Sequence, residues 1–126
     1  MIKRSYGSAT TTPMHIRPNH TRISHPQPIV VAASAKIKLA AKRIVFGKYL
    51  NCGQTCVAPD FILCHSSVKD KFVAAVKEEI KAQYGEEPLN NPDYGKIINE
   101  KHFSRLCGLI DEKKVVFGGE INSEDC

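Results

Sequence analysis

Residues 48–64 read KYLNCGQTCVAPDFILC. Three cysteines fall within thirteen residues, at 52, 56 and 64, around the pair Gly53-Gln54. Upstream, Ile37, Ala41, Ile44 and Lys48 keep a helical spacing, and Ala40, Val45 and Tyr49 widen the stripe. Ser34 is placed to cap that helix and Gly53 to stop it. Downstream, Pro59 breaks the chain before FILC, residues 61–64, a short apolar run that predicts a buried strand. The stretch is thus a helix, a turn bearing Cys56, and a strand.

Working outward, Ser67 and Asp70 form an S-x-x-D capping pair. Val68, Phe72, Val76 and Ile80 then recur every four residues, and Gly85 follows as a stop. EEPLNNPDYG, residues 86–95, is a loop dense in breakers. A third helix is predicted over 99–111, with Phe103, Leu106, Cys107 and Ile110 on its inner face. KVVFGG, residues 114–119, predicts a strand ending in a glycine turn. The order helix, strand, helix, helix, strand argues for an α/β architecture with parallel strands. Two short strands do not make a stable sheet alone, so the pattern reads as part of a larger domain.

Residues 1–28 are rich in Ser, Thr, Pro and His and lack apolar periodicity. The domain reading is therefore an irregular, disordered basic arm over 1–34 and an α/β piece over 35–126. No Asp or Glu occurs before Asp60, while the first 59 residues carry nine Lys or Arg. The arm lacks the aromatic interleaving of a nucleic-acid reader, and prolines at 13, 18, 26 and 28 break a presequence helix. No nucleic-acid partner is expected. No apolar run approaches the ~18 residues of a membrane span. Five cysteines without framework spacing point to a reducing, cytoplasmic setting.

Three chemistries compete for the cysteines. Cys52, Cys56, Cys64 and His65 supply zinc-type ligands, but structural zinc sites favour C-x-x-C knuckles, and three residues separate Cys52 from Cys56. Cys64 and Cys107 fall on apolar faces and read as core residues. Cys126 is the final residue. Cys56 sits in a turn between regular elements, which can present a thiol and a backbone amide to one cleft. Those are the needs of a nucleophile that attacks a carbonyl. No partner base stands at a diagnostic distance.

KRIVFGKYLNCGQTCVAPD, residues 42–60, closely resembles the active-site cysteine motif of the aldehyde dehydrogenase superfamily. Tyr49, Gly53, Gln54, Thr55 and Cys56 fill the motif in order. The flavour is that of the class-three branch, which includes the fatty aldehyde dehydrogenases. KEEIKAQYGEEPLNNPDYGKIINEKHFSRLCGLI, residues 77–110, is similar to the class-three segment with its Tyr-Gly, Pro-Asp-Tyr and Ile-Ile-Asn-x-x-His-Phe landmarks, and VVFGGE, residues 115–120, to the strand and turn after it.

The resemblance implies a partial aldehyde dehydrogenase catalytic domain and an NAD- or NADP-dependent oxidoreductase acting on aldehydes. Cys56 would form a thiohemiacetal, hydride would pass to the nicotinamide, and the thioester would hydrolyse to a carboxylic acid. Family members commonly form homodimers. The Glu-Leu-Gly-Gly-Lys base motif, the oxyanion-hole asparagine and the glycine-rich cofactor segment have no counterpart in this sequence, so no residue is assigned to cofactor or metal. The alternatives are a non-enzymatic remnant that associates with longer subunits and a small Cys/His metal module.

Overall fold

The structure is a computed structural model, and it describes residues 26–122. Its elements are β1 (Pro28–Val31), α1 (Ile37–Tyr49), β2 (Phe61–Cys64), α2 (Lys69–Tyr84) and α3 (Glu100–Cys107), joined by single turns of 3-10 helix. The strands pair in parallel, with Pro28 opposite Phe61 and Val31 opposite Cys64. A parallel pair needs a crossover connection, and α1 supplies it. The sequence predicts parallel strands at 61–64 and 114–119; the pair that forms is parallel, but β1 takes the place of the second of them.

β1 corrects the sequence reading. Residues 28–31 lie inside the arm predicted to be irregular over 1–34, yet they form a strand. Proline at the first strand position costs no ladder bond it could have made. The following Ile-Val-Val is β-branched throughout. Gln27 and Asp60 tie the strand's entry: Asp60 N–H donates to the Gln27 carbonyl at 3.0 Å, and Gln27 N–H donates to the Asp60 carboxylate at 2.8 Å. The rest of the predicted arm, residues 1–25, lies outside the described residues.

The core forms where α1 and α2 meet over the sheet. Ala41, Ile44 and Val45 of α1 pack with Phe72, Ala75, Val76 and Ile80 of α2 and with Val31 of β1. These are the periodic positions of both helices, which places each apolar stripe inward. Ser34 does not cap α1: its N-cap is Lys36, without a side-chain cap bond. Nor do Ser67 and Asp70 box the next helix. His65 Nδ1 instead accepts from Ser67 N–H, closing a 3-10 turn over Ser66–Val68 ahead of α2. Gly85 ends α2 at φ 86°, a left-handed backbone that favours glycine.

α3 is shorter than predicted and buries no residue completely. Phe103, Leu106 and Cys107 are half-buried and Ile110 is exposed. Asn99 caps it by accepting from His102 N–H at 2.9 Å. The strand predicted over 114–119 does not form. A 3-10 turn occupies Glu112–Lys114, its Asp111 side chain paired with Lys114, and Gly118 and Gly119 follow at positive φ. Val115 makes one isolated bridge, too short for a ladder, and among the described residues the sheet holds only β1 and β2. Phe117 packs against the α1–α2 core, with the Lys77 ammonium 5.6 Å from its ring centre.

Candidate active site

After Tyr49 the chain reverses within a few residues. Asn51 and Cys52 adopt φ of 51° and 55°, and Gly53 follows at 77°. Three consecutive left-handed residues lift the chain off the axis of α1. Asparagine and glycine tolerate that conformation, whereas Cys52 holds it at a cost. Gly53 has little alternative, because a Cβ there would stand 3.0 Å from the Lys48 carbonyl oxygen.

Cys56 then occupies a turn closed by Ala58 N–H donating to the Thr55 carbonyl at 3.1 Å. Ala58 is buried and anchors the turn, while Cys56 and Val57 are exposed. Among the described residues no backbone acceptor engages the Cys56 N–H. A thiol at the tip of an anchored turn, beside an unengaged amide, has the exposure that attack on a carbonyl requires.

The other cysteines have different surroundings. Cys64, on β2, is half-buried and packs against the core, and its thiol donates to the His65 carbonyl at 3.6 Å. Burial pushes its pKa up, against the opposing pull of Lys69, and a raised pKa suppresses thiolate reactivity. Cys107 is likewise half-buried rather than fully packed. Cys126 lies outside the described residues. Among the described residues, no three His, Cys, Asp or Glu side chains converge as metal ligands would.

Beneath the turn lies a cluster that sequence reasoning missed. Tyr49 and Tyr84 are the last residues of α1 and α2, and Tyr94 comes from the loop after α2. Their rings meet pairwise at 5.5, 6.1 and 5.4 Å between centres, the last edge-to-face. Cys52 Sγ donates to the Tyr94 hydroxyl at 3.6 Å. Burial raises all three phenol pKa values, with Tyr94 shifted most and its contact with Cys52 adding to the effect. Gly95 packs directly on the left-handed turn: a Cβ there would lie 3.3 Å from both Asn51 C and Cys52 N.

Gln54 joins the two segments. Its Nε2 donates to the Lys96 carbonyl at 2.9 Å and to the Asn51 carbonyl at 3.1 Å. Its Oε1 accepts from Ile98 N–H at 3.0 Å. Both amide hydrogens are used and one oxygen lone pair is filled. The partners are more than forty residues apart in sequence, so no local periodicity could have paired them. The available signal was compositional: a glutamine beside the cysteine turn, and a Tyr-Gly pair in a loop that already looked irregular.

Known proteins resemble this chain over most of its length. The aldehyde dehydrogenase family pattern matches residues 15–125, beginning well before Ala35, where the resemblance read from the sequence starts. The chain is 42% identical over 108 residues to aldehyde dehydrogenase family 3 member A2 of Mus musculus, covering 86% of this chain and 22% of that protein. It is 45% identical over 100 residues to 4,4'-diaponeurosporen-aldehyde dehydrogenase of Staphylococcus aureus, covering 78% and 22%. It is 43% identical over 105 residues to the dimeric NADP-preferring aldehyde dehydrogenase of Rattus norvegicus, covering 83% and 23%. A solved structure titled as the substrate-bound state of Staphylococcus aureus AldH superposes with a TM-score of 0.78 at 43% identity, over 79% of this chain and 22% of that one. The chain therefore spans less than a quarter of the length of these relatives.

Proposed function

This chain belongs to the aldehyde dehydrogenase family, and we propose that it carries the cysteine nucleophile for NAD- or NADP-dependent oxidation of aldehydes to carboxylic acids. One observation carries the assignment. Cys56 is an exposed cysteine at the tip of an anchored turn, while Cys52, Cys64 and Cys107 are half-buried. The Cys56 thiolate adds to the aldehyde carbon. A carbon–sulfur bond forms, the carbonyl π electrons move to oxygen, and a proton completes a thiohemiacetal. In this reading the Cys56 N–H shares the developing negative charge on that oxygen.

The described residues do not fit a dinucleotide cofactor. Pyrophosphate cradles use glycine-rich turns from strand to helix, and the β1–α1 connection, residues 32–36, reads AASAK. The steps that belong to this chain are those of the thiol. No carboxylate stands within the Cys56 turn to act as base for hydrolysis, a contribution typically worth about 10²–10⁴-fold. For the whole protein we propose a small-molecule aldehyde as substrate and pairing of subunits, as the rat relative's name states for that protein. Among the described residues no helix is long and apolar enough to cross a membrane.

Acyl transfer tests the assignment. Mixed with p-nitrophenyl acetate, the chain should release nitrophenolate in a burst of about one equivalent, with the acetyl group on Cys56, because thioester release lacks a base. Cys56→Ser should abolish the burst. Acetylation centred on Cys52 or Cys64 would reassign the nucleophile.

A further inference from the structure

Two cysteines flank Gln54. They differ by four positions, yet one is exposed and the other is half-buried with its thiol on Tyr94. Nothing in the residue types decides which of them meets an electrophile. The difference comes from what lies on Cys52: the Tyr94 hydroxyl, and the Gly95 backbone, close enough that an added Cβ would stand 3.3 Å from Asn51 C and Cys52 N.

That cover is not held by helix or sheet. It belongs to the loop between α2 and α3, which is pinned at its α2 side by Asn91 Nδ2 donating to the Tyr84 carbonyl at 3.0 Å. At its far side, Gln54 ties it to the cysteine turn, binding Lys96 O and Ile98 N on either side of residue 97. The same side chain holds Asn51 O, inside the left-handed turn. One amide therefore grips the cover and the strained segment that it covers.

We infer that Gln54 is a positioning residue that selects the reacting thiol, closing the 94–98 loop over Cys52 and leaving Cys56 as the presented nucleophile. This rests on the reading of Cys56 as nucleophile. Loss of the amide releases the loop from the turn. Tyr94 and Gly95 then move off Cys52, while Asn51 O keeps its bond from the Gln54 backbone N–H. Selectivity between the two thiols falls, although neither cysteine has been altered.

The test is the ratio of Cys56 to Cys52 labelling by limiting iodoacetamide, resolved by fragmentation of the labelled peptide. Gln54→Met keeps the side-chain length and removes the side-chain hydrogen bonds to Lys96, Ile98 and Asn51. It should lower the ratio by about tenfold, the equivalent of one lost net hydrogen bond of about 1–1.5 kcal/mol, and should speed hydrogen exchange at the Ile98 amide. Gln54→Glu keeps the acceptor for Ile98 N–H, loses both donors, and should fall between. Ile80→Val, a core substitution remote from the turn, lowers stability by about 0.5–1.5 kcal/mol and should leave the ratio unchanged. An unchanged ratio in Gln54→Met, or an equal fall in Ile80→Val, would overturn the inference. Failure of Cys56 to form an acyl adduct would instead overturn the nucleophile reading, and the labelling ratio would still report on Gln54.

Discussion

At the scale of single residues, the site depends on close approach rather than on ionisable partners. Gly95 is the sharpest case. An added Cβ meets two backbone atoms at 3.3 Å, and backbone gives way less easily than a side-chain tip. Gly95→Ala should therefore cost about 1–3 kcal/mol, the range for overpacking, and should raise Cys52 labelling by lifting the loop. Thermal unfolding and peptide mapping read the two effects separately. The exposed turn at Cys56 was legible in the sequence, because Gly53 and Pro59 interrupt the regular elements on either side of it. The expectation that Cys64 and Cys107 are core residues was too strong: apolar periodicity identifies a face, but not what covers it. Gln54 was visible as part of a motif, whereas its hydrogen bonds to Lys96 and Ile98 were not.

At the scale of elements, α1 and α2 are defined by their apolar stripes, and the structure packs those stripes together. Phe72 lies at the centre of that contact and is 2% exposed, so Phe72→Ala should cost about 3–5 kcal/mol, measurable as a fall in the urea midpoint. The strand β1 was hidden by the proline-rich composition of 1–28 just before it, although Ile29, Val30 and Val31 carry strong β preference. The strand predicted at 114–119 failed for the complementary reason: preference alone forms no ladder. The tyrosine cluster at the helix ends has a pH signature. Burial raises the phenol pKa values of Tyr49, Tyr84 and Tyr94 above the ordinary 10.0. The folded state keeps protons that the unfolded chain releases near that pH, so this stabilisation is complete below about pH 10 and is lost as pH rises beyond it. The urea midpoint should fall above pH 10, and Tyr49→Phe should blunt the fall. A fall of equal size in that variant would assign it to other groups.

At the scale of the whole molecule, a βαβ unit with a second helix carries a cysteine turn, and Gln54 joins the tyrosine ring contacts in tying the 94–98 loop beside that turn. The described residues show no dinucleotide cradle, so the chain alone should show no saturable NAD or NADP binding by titration calorimetry in the micromolar range. Sustained NADH formation from hexanal that Cys56→Ala abolishes would show the opposite. The central claim is that Cys56 adds to aldehydes, and protection from alkylation tests it most directly. With hexanal or benzaldehyde present, the thiohemiacetal ties up the Cys56 sulfur. Its iodoacetamide labelling should slow in proportion to aldehyde concentration and recover on dialysis, while labelling of Cys64 and Cys107 stays constant. Labelling of Cys56 that is unaffected by aldehyde, or slowed equally at all of these cysteines, would contradict the account.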